Sequence, residues 1–286
     1  MNENYIRYAK LTVYDPDGQS LFVSDKDQRL QFEYLKNVKS TSNTLVVRVY
    51  GTLKEDSESA LTRADSLQLE AGTGASYGVI FRGDVVDGFQ TNGDRPYMQL
   101  TALDGDAFYN GFLSASVGRG ESLAGLASIC AARCSSPVTV GKISPVAAQT
   151  RLPRGCVLFG QAADIMDTLA RQINGTWFVN DGRLYLLTEA DMQFGGVIDI
   201  DAGGDLVGVP VVDAWSVTFG HHIDSRISLG AAVRFSNADA AVGVFRVVSI
   251  SGIGDTHDGD WKMTVYALRQ DQDSPAVSAK TKNVWR

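Results

Sequence analysis

Two short stretches decide the fold: Gly78-Val79-Ile80-Phe81-Arg82-Gly83-Asp84-Val85 and, 164 positions further on, the segment around Phe245-Arg246-Val247. At that offset Phe81 meets Phe245, Arg82 meets Arg246, Gly88 meets Gly252, Asp94 meets Asp258 and Tyr97 meets Trp261. Each copy reads as a strand, a Gly/Asp turn and a second strand of alternating apolar residues: Met98, Leu100 and Ala102 in one, Met263, Val265 and Ala267 in the other. A unit repeated within one chain points to an architecture of like modules placed side by side. Unrelated sequence separates the copies, so the reading is two similar β modules with an insertion between them.

Around the first copy, residues 6 to 106 read as strands and turns. Leu21-Phe22-Val23, Leu30-Gln31-Phe32-Glu33-Tyr34 and Leu45-Val46-Val47-Arg48-Val49-Tyr50 follow a turn at Asp15-Pro16-Asp17-Gly18. Short strands of even spacing suggest a barrel or sandwich. The pattern changes near Asp104-Gly105-Asp106. Gly120-Glu121-Ser122 opens a helix with Leu123, Leu126, Ile129, Cys130 and Cys134 near a 3.6 period. A second helix is expected from about Ala162 to Asn174, with Gly175 as a left-handed cap beyond its end. Asp181-Gly182 between two apolar runs predicts a hairpin. A connection punctuated by Pro137, Gly141, Pro145, Pro153 and Gly155 joins the two helices. Strands resume from about Val197, including Val197-Ile200, Ala214-Phe219 and Ile227-Phe235.

The expected fold class is mainly β with an inserted α+β region. Residues 1–106 and 197–270 would form two similar β domains of barrel or sandwich type. Residues 107–196 would form the small helix-plus-hairpin domain, and 271–286 an extended C-terminal tail, either flexible or ordered by a partner.

Bulk composition narrows the function classes. The 286 residues are 44% hydrophobic, enough for roughly two domains at ~150 residues each. A net charge of -7 and a pI near 5.0 argue against a nucleic-acid groove or an anionic membrane. No apolar run approaches the ~20 residues of a membrane span, and the first residues lack signal-peptide character. Three cysteines, Cys130, Cys134 and Cys156, fit a reducing compartment of synthesis and read as buried structural thiols.

Catalytic signatures do not assemble. The histidines are three, His221, His222 and His257; the first two are adjacent and should point to opposite strand faces, so they are not expected to share a metal. Gly118-Arg119-Gly120 precedes a helix but lacks the Gly-Lys-Ser/Thr of a phosphate loop, and so reads as a helix start. The Asp-rich turns at 15–18 and 255–260 lack EF-hand spacing. Paired carboxylates for glycoside cleavage leave no fixed spacing, and no pair stands out. No catalytic residue, cofactor or metal is expected.

The order of parts resembles the baseplate hub proteins of tailed bacteriophages. Carrying the resemblance are Gly78-Val85, Leu100-Thr101-Ala102-Leu103-Asp104-Gly105-Asp106-Ala107-Phe108-Tyr109-Asn110, the helix Ala162-Asn174 with Gly175-Thr176-Trp177-Phe178-Val179-Asn180-Asp181-Gly182-Arg183-Leu184-Tyr185-Leu186, and Phe245-Arg246-Val247 through Asp260-Trp261-Lys262. It covers roughly residues 70 to 270. It implies a structural, non-enzymatic homotrimer whose paired tube-like domains present six like modules to the hexameric tail tube and adapt it to a trimeric spike. Expected partners are other copies of the chain, a tail tube or distal tail ring protein, and a separate spike protein, since the chain ends at Arg286 without a spike or lytic domain. DNA would pass the lumen without specific binding during genome ejection, and no membrane insertion is expected. Synthesis in the host cytoplasm and residence in the virion tail baseplate follow. Within the tail, Trp285 and Arg286 are the candidate partner-binding residues. The rival readings are a cell-wall hydrolase and a carbohydrate-binding tail-tip protein, the latter requiring Trp177 and Trp261 to be exposed.

Overall fold

A computed structural model describes residues 7–24, 26–51, 61, 63–91, 96–188, 191, 196–201, 204, 206–236 and 243–270. The first β unit comprises β1 (Arg7–Tyr14), β2 (Ser20–Val23), β3 (Leu30–Asn37), β4 (Asn43–Tyr50), β5 (Ser66–Thr73), β6 (Gly78–Thr91) and β7 (Tyr97–Asp104). In β3 and β4 every second residue is buried, as one solvated and one packed sheet face require. The middle region holds α1 (Asp106–Tyr109), β8 (Phe112–Val117), α2 (Leu123–Arg133), β9 (Thr139–Ile143), α3 (Pro145–Gln149), β10 (Cys156–Gln161), α4 (Ala162–Gln172), β11 (Thr176–Asn180) and β12 (Arg183–Leu187). The second β unit comprises β13 (Val197–Asp201), β14 (Val211–Val212), β15 (Ser216–His221), β16 (Ala232–Ser236), β17 (Val244–Asp255) and β18 (Trp261–Arg269).

Strand order makes the duplication explicit. The first unit runs β1-β5-β6-β7-β4-β3 across the sheet, with β2 added outside β1, and the second runs β13-β16-β17-β18-β15-β14. Ranked along the chain, with β2 left aside, the strands of both units follow the same spatial order. One pairing differs: β1 lies antiparallel to β5, whereas β13 lies parallel to β16. The sequence match at Phe-Arg also holds in register. Phe81 and Arg82 pair with Leu69 and Gln68, while Phe245 and Arg246 pair with Val233 and Ala232, so the partners keep the 164-residue offset too. Each long strand then carries a bulge, at Val85/Asp87 and at Val247/Ser249, and beyond it the copies slip by one. Gly88 thus faces Leu100, but Gly252 faces Met263. Asp94 lies outside the described residues.

The two units are joined through β3 and β17 into a single 13-stranded sheet. The larger core spans both units and includes Phe32, Phe81, Phe219 and Phe245. A second core sits in the middle region around Phe108, Cys130, Met166 and Trp177. The β11–β12 hairpin divides its side chains between them, since alternate strand residues face opposite ways: Phe178 and Leu187 enter the larger core, Trp177 and Leu186 the smaller.

The middle region contains the expected helices, with three differences. Ser122 caps α2 by accepting a hydrogen bond from the Gly125 N–H at 3.0 Å. First, α4 ends at Gln172, and the left-handed residue beyond it is Asn174 (φ 49°), not Gly175. Gly175 is required for a different reason: a Cβ there would lie 2.4 Å from the Leu187 carbonyl oxygen. Second, the Pro/Gly-punctuated connection is structured, with β9 parallel to β12 and α3 started by Pro145 behind a Ser144 cap. Third, β8 and β10 form a separate two-stranded ribbon that was not among the expected strands. In the second unit the Ile227–Phe235 run is a strand only from Ala232, with hydrogen-bonded turns before it.

Candidate functional site

The β3–β17 seam converts two units into one surface. Seven residue pairs form it, from Ser249 opposite Asn37 to Asp255 opposite Gln31. Glycines on β17 let the rings of β3 cross it. A Cβ on Gly254 would stand 2.2 Å from the Phe32 ring and one on Gly252 2.3 Å from the Tyr34 ring. At one end of the seam the Arg29 guanidinium donates to both carboxylate oxygens of Asp255, the shortest contact being 2.6 Å. Burial raises the Asp255 pKa, but the Arg29 guanidinium and the backbone N–H groups of His257 and Asp258 together hold it below the ordinary carboxylate range. Arg7 adds hydrogen bonds to the carbonyls of Asp255 and Gly259.

The solvated face runs unbroken across the seam. One cross-strand row reads Lys262, Ile253, Glu33, Val46, Thr101 and Asp87. A neighbouring row places Thr264, Ser251, Leu35 and Thr44 together. Arg48 on this face donates to Gln99 at 2.7 Å. The result is a broad surface of small polar and apolar side chains with cations and carboxylates interspersed.

The middle region is clamped to the first unit at the opposite end of β3. Asp181 and Gly182 both have positive φ (53° and 72°), which is the two-residue turn that the sequence Asp-Gly favours. The turn's N–H groups donate to the buried Asp104 carboxylate at 2.6 and 2.9 Å, and Asn43 Nδ2 donates to it at 3.3 Å. Lys36, almost wholly buried, pairs with Asp181 at 2.8 Å and donates to the Ile80 carbonyl at 3.0 Å. Burial pushes the Asp104 pKa up to about 6, and the Asp181 charge adds to this, while Lys36 and the two backbone donors pull it down. A cleft of about 590 Å³ opens beside the clamp, lined among others by Ser66, Arg82, Asp84, Asp104 and Arg183.

The remaining candidates from the sequence are dispersed. His221 Nδ1 lies 2.6 Å from the His222 carbonyl oxygen and the His222 ring contacts the Trp261 carbonyl oxygen. Among the described residues no cluster of three or more His, Cys, Asp or Glu side chains could hold a metal. All three cysteines are free; Cys130 and Cys134 are buried, whereas Cys156 is only half-buried. Trp177 and Trp261 are 1% and 4% exposed, so neither offers the sugar-stacking face that a carbohydrate-binding reading required. Trp177 Nε1 instead donates to Asp167 at 2.6 Å. Trp285 and Arg286 lie outside the described residues. Unforeseen from sequence was the exposed face of the β8–β10 ribbon, where the rings of Phe112 and Phe159 meet edge-on at 5.0 Å. The alternation Phe112-Leu113-Ser114-Ala115-Ser116-Val117 was the available signal.

Two β units of one strand order, fused into a single sheet around a helix-and-hairpin insert, make a fold shared with solved tail proteins of phages. The 43 kDa tail protein of prophage MuSo2 from Shewanella oneidensis superposes with a TM-score of 0.64 at 9% identity, covering 91% of this chain and 96% of that one. An E. coli component of the type VI secretion system, described as structurally similar to the T4 tail proteins gp27 and gp5, gives 0.61 at 8% identity over 88% and 78% of the two chains. A tail protein from Neisseria meningitidis MC58 gives 0.59 at 8% identity over 93% and 97%. At these identities the likeness is one of fold. No protein-family profile and no curated protein sequence matches the chain.

Proposed function

We propose that this chain is a structural tail protein acting as a baseplate hub: a homotrimer that presents six like β units to a hexameric tail tube and a threefold face to a spike. The observation that carries this reading is the shared strand order of the two β units together with their fusion through β3 and β17. A single polypeptide that repeats one platform twice lets threefold symmetry imitate sixfold symmetry. The mixed, weakly charged sheet face suits a lumen through which DNA passes without being held, in contrast to the clustered cations of a nucleic-acid groove. Hub, tube and spike would meet in the virion tail, and lytic activity would reside in other proteins.

Electron microscopy of the assembled particle tests the reading. The expected image is a threefold ring at this protein, with both β units facing the channel; a ring of other symmetry, or one unit turned away from the channel, refutes it. The tail bearing Trp285 and Arg286 is proposed to reach the spike or a neighbouring subunit. Hub–spike co-purification that survives deletion of residues 274–286 would remove that part.

A further inference from the structure

The internal repeat matches strands one to one. Ranked along the chain, β6 of the first unit corresponds to β17 of the second, and β3 corresponds to β14. Both long strands lose their first neighbour near the bulge: β5 pairs with β6 only as far as Asp84, and β16 with β17 only as far as Arg246. Past its bulge β17 takes up β3, a strand of the other unit, from Ser249 to Asp255. Past its own bulge β6 pairs only with β7 among the described residues, from Asp87 to Thr91. The edge that the seam covers in one unit is therefore open in the other, and an open edge is a template for a further contact.

Burial follows the same difference. Along β17 from Ile250 to Asp255 only Ser251 and Ile253 are exposed, whereas Val86, Asp87, Gly88, Phe89 and Gln90 are all exposed. A cleft of about 380 Å³ opens along this edge of β6, walled by the core side chains of Leu61, Met98 and Leu100. In the second unit β3 occupies the matching ground. Tyr34 crosses Gly252 there, and its hydroxyl reaches the sulfur of Met263, the counterpart of Met98, at 3.7 Å. The strand matched to β3 has apolar side chains to offer. Val211, 72% exposed, lies opposite Thr218 on the solvated face, the face that Phe89 shares through its partner Gln99. Val212 lies opposite the buried Val217 and packs on the core side.

We infer that the β14 end of one copy seats against the open edge of β6 in a neighbouring copy, as β3 seats against β17 within the chain. Val211 then lies beside Phe89, and Val212 lies at the cleft. This rests on the proposal that copies of the chain form a ring, and it names the contact between them. The seam joins the second unit to the first within one chain; the same step between copies joins the first unit to the second unit of the next. Every unit then presents its long strand to one neighbour and its β3-type strand to the other, which is the heterologous contact that closes a ring. Side chains carry the contact, since β14 is two residues long and Pro210 before it has no N–H to give. β2 and β13 take no part in the seam, so the repeat assigns them no such partner.

The test places the photo-reactive p-benzoylphenylalanine at position 211 of the full-length protein and mixes isotopically heavy and light copies. Both concentrated purified protein and assembled particles are irradiated. The expected adduct joins residue 211 of one copy to residues 86–91 of another. Phe89→Asp removes an apolar anchor and should cut the yield roughly fivefold, whereas Phe159→Asp on the β8–β10 ribbon should leave it unchanged. The reciprocal pair, with the photo-reactive residue at 89 and Val211→Asp as the variant, must behave alike, so that misfolding of one variant cannot imitate the result. Adducts from residue 89 confined to residues 52–60 of its own copy, adducts to another protein, or no inter-copy adduct in either sample overturn the inference. Ring symmetry is read separately by electron microscopy. A threefold ring that cross-links elsewhere sinks this contact and leaves the hub reading standing; the expected adduct in a ring of other symmetry does the reverse.

Discussion

Gly254→Ala is the sharpest probe of the seam. The added methyl would sit 2.2 Å from Phe32 Cζ and 2.7 Å from two further ring carbons. The ring cannot swing aside: Phe32 is 1% exposed and meets the Trp261 ring edge-on at 5.7 Å. Overpacking of this kind costs about 1–3 kcal/mol. The loss of unfolded-chain freedom on replacing glycine offsets it by about 0.4–1 kcal/mol. A net loss of about 1–2 kcal/mol is expected in urea unfolding, with amide exchange accelerated across β3 and β17. Gly118→Ala, where nothing lies within 4 Å of the new carbon, is the control and should stay within about 0.5 kcal/mol of wild type. Phe32→Leu should rescue in part, so that the double variant is more stable than the sum of the single changes by about 1 kcal/mol. If Gly254→Ala is as stable as the parent and the seam amides keep their protection, the crossing of ring over glycine does not hold the two units together.

Asp104 predicts a pH effect. Its folded pKa of about 6 exceeds the ordinary 3.8, so the folded state binds more protons than the unfolded chain between those values and loses stability as pH rises through them. Raising the pKa from 3.8 to about 6 corresponds to at most about 3 kcal/mol. Asp84, raised by burial and by the charges of Asp65 and Asp106, contributes with the same sign. Asp104→Asn should flatten most of the dependence in denaturation midpoints between pH 4 and 6; an unchanged slope would show that the clamp is not its source. Trp177→Phe removes both the hydrogen bond to Asp167 and the buried pyrrole half of the indole, and a loss of about 2–4 kcal/mol by thermal unfolding is expected. Phe159→Asp should leave the monomer's stability within about 0.5 kcal/mol of wild type, since the side chain is 70% exposed; a larger loss would mean that the ribbon face is structural.

Local signals in the sequence carried the fold a long way because the decisive ones were short-range. Asp181-Gly182 announced its own turn, and Phe81-Arg82 and Phe245-Arg246 occupy like register positions in their hairpins. The missed features all depend on partners far away in sequence. β8 alternates, but its strand partner β10 lies 39 to 49 residues on, from Val117 opposite Cys156 to Phe112 opposite Gln161. Asp104 could be read as the close of a strand, yet its role as acceptor for a turn 77 residues later leaves no local trace. Gly252 and Gly254 hinted at a close approach by being glycines inside a strand, without saying to what. Gly175 sat where a cap was expected, but its requirement came from the Leu187 carbonyl across the hairpin.

The seam also changes which strand edges an assembly has to manage. Paired with each other, β3 and β17 expose no backbone donors to a neighbour along the registered stretch; the open edges among the described strands include β2, β13, β14 and the part of β6 beyond Val85, which pairs only with β7. The β14 end is poorly suited to accept another strand. Pro210, immediately before it, has no N–H to give, and Gly208 turns the chain with a φ of 85°. The valines there, Val209 at 88% and Val211 at 72% exposed, still offer apolar area. Contact at this end is therefore expected through side chains and not through a continued ladder.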